Sequence, residues 1–213
     1  MQITQKYGKS ILMEDDIVTA PGFLIFINEA LEFYKDDDKI LSVSGHTPNL
    51  KLLNSINSDF YITSRYHGWG TGIWKSKLDL MKRLPNWKDV KKDKKIKKKL
   101  DEFGTDIWDM VKGEALGILD AGDIRMCYLA AKNDLYNILP TQTLVRNIGL
   151  DGSGVHCGND NIYKDDALSN KVNFIFSEDY TLNDVITKEY KNFYDKPSLL
   201  KRIKNKLTQR NKN

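Results

Sequence analysis

An apolar run of strand length, Ser10-Ile11-Leu12-Met13, ends directly on three consecutive carboxylates, Glu14-Asp15-Asp16. The run lacks polar alternation, so it is expected to be buried on both faces, as parallel strands covered by helices are. Crowded carboxylates raise one another's pKa unless a cation neutralises them. A hard divalent cation such as Mn²⁺ or Mg²⁺ does this and also binds phosphate oxygens. Ligands of open α/β sheets sit beyond the carboxyl ends of strands, which is where the triplet falls. The alternative reading is an acidic turn capping the next helix, since carboxylates favour a helix N-terminus.

Pro21-Gly22 then opens a helix running to about Tyr34, with Phe23, Phe26, Ile27, Ala30, Leu31 and Tyr34 at helical spacing as its buried stripe. The run Asp36-Asp37-Asp38 is expected to be a solvated turn. Strands are expected at Ile40 to Ser44, at Phe60-Tyr61-Ile62-Thr63, at Ile138-Leu139, at Leu144-Val145 and at Val172 to Phe176. The Gly/Trp-rich segment His67 to Trp74 is expected to lead into a helix over 76–84, with further helices over 106–112 and 124–132. Strands and helices alternate through the first half, which predicts an α/β layered sheet. A doubly buried first strand needs neighbours, and almost nothing precedes Ser10. The expectation is therefore a larger domain lacking its first strands, with residues 1–195 as the catalytic part and 196–213 as a basic amphipathic tail.

The surrounding residues carry a resemblance. Ile11 to Val18 followed by Pro21-Gly22-Phe23 resembles the strand, acidic motif and helix of GT-A (Rossmann-like) glycosyltransferases. It is most similar to bacterial sugar transferases related to glycosyltransferase family 2 and to the N-acetylglucosaminyltransferase I group. The resemblance continues in order through Leu41 to Gly45, His67 to Lys75, Gly122-Asp123-Ile124-Arg125, and Leu144 to Gly149 with Gly154-Val155-His156, covering residues 10 to 158. It implies a mixed sheet flanked by helices and a metal-dependent, inverting transfer of sugar from a nucleotide-sugar, by default a UDP-sugar. The acceptor would be a glycan or a lipid-linked glycan of bacterial surface polysaccharide. By the same resemblance Asp16 ligates Mn²⁺ or Mg²⁺, and Glu14 and Asp15 hold the donor. Asp123 is, by that resemblance, the general base that deprotonates the acceptor hydroxyl; beside it, Trp69 is a candidate stacking face for the donor sugar and His156 a candidate contact to the donor diphosphate or the metal. Where family members often have an aromatic residue before that Asp, this chain has Ala121-Gly122, which keeps Asp120, Asp106 and Asp109 as alternatives. Asp123 also reads as an N-cap for the following helix. A different class of function stays open: a catalytically incomplete remnant or glycan-binding partner subunit.

Among the remaining residues, His46 is expected to be a turn residue and Arg125 and Arg146 to form local salt bridges, while for His67 contact with substrate is the lesser of the readings its place before the Gly-Trp-Gly segment allows. Cys127 and Cys157 are the only cysteines, and free thiols in a reducing compartment are expected of them. No apolar run approaches the roughly 20 residues that span a bilayer, so a cytoplasmic protein is expected. In the tail, Leu199, Leu200, Ile203 and Leu207 share one face with cations opposite. That pattern suits peripheral binding to the anionic inner face of a membrane. The lysine-rich stretch 88–99 comes with no helix-turn-helix, RNP or zinc-finger pattern, so it is expected to be a solvated face and not a nucleic-acid site.

Overall fold

The computed structural model describes residues 2–149, 163 and 167–195. The N-terminal helix α1 (Gln2–Tyr7) precedes β1 (Lys9–Leu12), β2 (Ile17–Thr19), α2 (Phe23–Phe33) and β3 (Ile40–Ser44). A 3-10 turn (Lys51–Ser55) leads to β4 (Phe60–Thr63), β5 (Thr71–Trp74), α3 (Lys75–Leu78), α4 (Trp87–Val90), α5 (Lys94–Asp101) and α6 (Asp106–Ala115). Then come α7 (Gly122–Asn133), β6 (Tyr136–Pro140), β7 (Val145–Asn147) and α8 (Asp184–Tyr194). Five strands form a mixed sheet in the order β1-β5-β3-β6-β4, and β2 pairs with β7 as a separate ribbon. Among the described strands only β3 and β6 are parallel neighbours; β1, β3 and β4 meet their other partners antiparallel. The α/β expectation is met by this sheet and its flanking helices.

Strand side chains alternate across the sheet and divide the core into two layers. Phe60, Ile62, Trp74 and Ile138 face α2, where they pack with Phe23, Phe26, Ile27, Ala30, Leu31 and Tyr34. Tyr61, Ile73 and Leu139 face the other way, onto α5, α6, α7 and α8. All six residues expected on the buried stripe of α2 are buried.

Four expectations need correction. β1 is not a parallel strand buried on both faces: it is an edge strand paired antiparallel with β5, and Leu12 is 42% exposed. Its apolar run reflects one covered face and an open edge. Thr71–Trp74 is a central strand rather than the approach to a long helix, and α3 stops at Leu78. Gly72 disguised it, because the strand needs glycine there: a Cβ would lie 2.6 Å from Ile27 of α2. Val172 to Phe176 forms no strand. Phe174 and Phe176 instead set their rings against Phe26, at 5.0 and 5.4 Å, while Ile175 N–H donates to the Asp59 carboxylate at 2.8 Å. Finally, β2 and α8 form where no element was expected, while β7 takes up the strand expected at Leu144-Val145, shifted to Val145–Asn147.

No described helix is long and apolar enough to cross a membrane. The tail 196–213, His156 and Cys157 lie outside the described residues. Cys127 is a buried free thiol, pushed up to about 11 by burial.

Candidate active site

β1 and β3 run in the same direction on either side of antiparallel β5. Leu12 and Ser44 are therefore both brought to Thr71, at the start of β5. The segments that follow β1 and β3, and the 65–70 loop that precedes β5, converge at this end of the sheet. They enclose a cavity of about 800 Å³, whose far wall is the 118–124 turn between α6 and α7. Glu14, Trp69 and Asp123 line it together with His46, His67, Arg65 and Tyr163. A second cleft, of about 550 Å³, is lined among the described residues by amides, hydroxyls, aliphatic side chains and one lysine, with no carboxylate. The acid chemistry belongs to the first.

Asp123 sits in the first turn of α7, where the helix dipole favours a carboxylate. It is not the N-cap: that position is Ala121, with no side-chain cap bond. The turn before it is fixed by Glu114, buried near the surface. Glu114 accepts hydrogen bonds from Ala121 N–H at 2.8 Å and Arg125 Nε at 2.6 Å. Burial would lift the Glu114 pKa, but the Arg125 and Ala121 hydrogen bonds outweigh it and hold the carboxyl below its ordinary range. The Asp123 carboxyl faces Gly68. Any Cβ there would come within 2.6 Å of Asp123 Oδ2, so only glycine allows this approach. Although Asp123 keeps much of its surface open to the cavity, the wall crowds its carboxyl. That desolvation raises its pKa, against the Gly68 N–H bond and the Arg65 charge.

Glu14 shows the same strain from the other side. Its pKa is raised first by desolvation, then by the charges of Asp123, Asp16 and Asp15. Glu14 therefore feels the charge of Asp123, far away in sequence, although neither Asp15 nor Asp16 lines the cavity. Asp15 is exposed and does not line the cavity. Asp16 is half-buried against the β2–β7 ribbon: its carbonyl accepts from Ile148 N–H at 2.9 Å, and its carboxylate rests on Gly149. None of the three caps α2, whose N-cap Gly22 receives no side-chain bond.

Among the described residues, no three His, Cys, Asp or Glu side chains converge on one cation position. The triplet nonetheless fits a cation in one respect. Asp16 Oδ1 is a buried oxygen with no hydrogen-bond donor among the described residues, and a buried carboxylate oxygen left without a partner is costly. Mg²⁺-type ions take one or two protein carboxylates and fill their shell with water and phosphate.

The alternatives to Asp123 are otherwise engaged. Asp106 forms a bidentate pair with Arg65, at 2.9 and 2.7 Å, and Asp120 bridges Arg83 and Arg125. Arg125 thus makes the local salt bridge expected of it. Asp109 lies in the first turn of α6 and does not line the cavity. Arg65 is the only lysine or arginine among the described lining residues, and its guanidinium is committed to Asp106 and stacked 3.5 Å from the Tyr194 ring centre. His46, expected as a turn residue, follows β3 and is 2% exposed, with its Nδ1 3.3 Å from His67 Nδ1. Sequence reasoning also missed Arg65, Glu114 and Tyr194, since their partners lie on other elements. In comparison with known proteins, the chain matches no protein-family model and no curated protein.

Proposed function

We propose that this chain is a metal-dependent, inverting glycosyltransferase of GT-A type, moving a sugar from a nucleotide-sugar, with UDP-sugar the first donor to test. The acceptor is a glycan or lipid-linked glycan. The observation that carries the reading is the convergence of Glu14, Trp69 and Asp123 on one cavity at the carboxyl ends of β1 and β3. Glu14 and Asp123 make the described wall anionic and Arg65 is neutralised by Asp106, so a diphosphate enters only with a divalent cation. Held by Asp16, such a cation would offset charge on the departing diphosphate. Asp123 takes the proton of the acceptor hydroxyl, and its raised pKa moves it towards working pH, where a general base is most effective. Trp69 supplies an apolar face for a sugar ring. A single base and direct displacement give inversion. Residues 196–213 remain the proposed contact with an anionic membrane, where lipid-linked acceptors reside.

The test is nucleotide release from UDP-sugars with Mn²⁺ and a glycan acceptor. Asp123→Asn is expected to lower turnover by about 10²–10⁴-fold; unchanged turnover contradicts the assignment. A second reading, a glycan-binding chain without turnover, is favoured by the outer edge of β1, which pairs with no strand among the described residues. Its signature is glycan binding with neither nucleotide binding nor release.

A further inference from the structure

A chain of buried polar groups leads away from the cavity wall. His46 Nδ1 lies 3.3 Å from His67 Nδ1, and His67 Nε2 lies 3.1 Å from the Tyr190 hydroxyl. Tyr190 OH is 2.8 Å from Tyr61 OH, which is 3.3 Å from Thr47 Oγ1. Thr47 Oγ1 in turn donates to the Pro140 carbonyl. All five side chains are buried.

The far end fixes every proton. The Pro140 carbonyl can only accept, so the single hydroxyl proton of Thr47 is spent on it. Towards Tyr61, Thr47 therefore accepts, and the one proton of Tyr61 goes to Thr47. Tyr190 must then donate to Tyr61 and accept from His67 Nε2–H. Burial, the neighbouring His46 and Arg65 all push the His67 pKa well down, so the ring is neutral and its Nδ1 is bare. His46 Nδ1–H donates to it, which leaves His46 Nε2 as a lone pair. This is the one direction in which all five contacts are hydrogen bonds.

The pair sits where it controls the site. It ties the residue after Gly45, at the end of β3, to the segment His67-Gly68-Trp69. Gly68 N–H serves the Asp123 carboxylate. The His46 ring lies edge-on to Trp69 at 4.5 Å. Ser44 Oγ adds a second tie, taking His46 N–H at 3.2 Å and donating to the Trp69 carbonyl at 3.5 Å.

We propose that His46 and His67 are positioning residues: a proton-ordered clip, His46 as the Nδ1–H tautomer and His67 as the Nε2–H tautomer, that holds Gly68 against Asp123 and sets the Trp69 wall. Its catalytic meaning rests on the glycosyltransferase reading; its proton order does not.

The experiment is ¹⁵N imidazole NMR on the ligand-free full chain near pH 7.5, compared with His156→Gln to remove the third histidine. The clip predicts two neutral rings of opposite tautomer. Two Nε2–H rings, rapid tautomer exchange or a charged ring in the pair overturns it. Tyr190→Phe keeps the aromatic ring and removes the central proton. His67, whose Nε2–H loses its acceptor, should then become a tautomer mixture and the Gly68 amide should exchange with solvent at least tenfold faster. An unchanged tautomer and unchanged Gly68 exchange in that variant contradict the positioning role, and if the variant fails to fold the wild-type spectrum decides. Ordered tautomers in a chain that transfers no sugar would defeat the enzymatic reading and leave the clip standing.

Discussion

Asp123 is held in a state it resists: the cavity wall crowds its carboxyl, and the Gly68 N–H and the Arg65 charge offset that only in part. A carboxyl whose pKa is raised on folding binds protons more tightly folded than unfolded. Its contribution to stability therefore falls as pH rises through the interval above the unfolded value of about 3.9. Asp123→Asn, which retains an acceptor for Gly68 N–H, should unfold at a higher temperature than wild type while losing turnover; a lower melting temperature would argue against desolvation as the cause. Gly68→Ala tests the same contact sterically. The added methyl must displace the carboxylate, so turnover should drop at least tenfold while stability changes by about 1 kcal/mol. Equal turnover would show that the close approach is dispensable. The carboxylate cluster was half legible in the sequence, because like charges crowd along the chain at Glu14-Asp15-Asp16. Asp123 needed the resemblance, and the histidine clip was hidden: its members are 21 residues apart, and its proton order originates at Pro140.

The elements matter through what they orient. α7 begins where Glu114 of α6 anchors Ala121 and Arg125, and that anchor places Asp123. Glu114→Ala leaves the Arg125 guanidinium, 13% exposed, with Asp120 alone. A stability loss of about 2 kcal/mol is expected by chemical denaturation, less than for a fully orphaned buried charge because Asp120 remains. Turnover should fall with it; wild-type stability would show that the turn holds itself. Elements with strong periodicity were legible: α2, β3 and β4 lie where the apolar pattern puts them. β5 was not, because its glycine answers to a helix packed above the strand. The 172–176 segment failed in the opposite sense: its aromatic residues are β-formers locally, but they cover α2 and Phe60 instead of pairing.

For the whole molecule, the sheet's two layers were legible and its edges were not. A run such as Ser10 to Met13 looks alike whether it is buried in the middle or set at an open edge, because periodicity reports faces and not neighbours. The buried histidine pair adds a global pH dependence. His67 has its folded pKa depressed below the unfolded value of about 6.5, with His46 and Arg65 facing it. Below pH 6.5 the unfolded chain binds the proton that the folded chain refuses, so stability declines there by up to about 1.4 kcal/mol per pH unit. Denaturation at pH 7.5, 6.5 and 5.5 should show the slope, and His67→Gln should flatten it if the variant folds.

Under the proposed function, the carboxylates of Glu14 to Asp16 take up a divalent cation together with a pyrophosphate. Calorimetric titration of UDP into the full chain, with Mn²⁺ and with EDTA, in wild type and Asp16→Ala, tests it most directly. Binding should require Mn²⁺ and weaken at least tenfold in Asp16→Ala. UDP binding that is indifferent to the metal and to Asp16, or no binding at all, would contradict it.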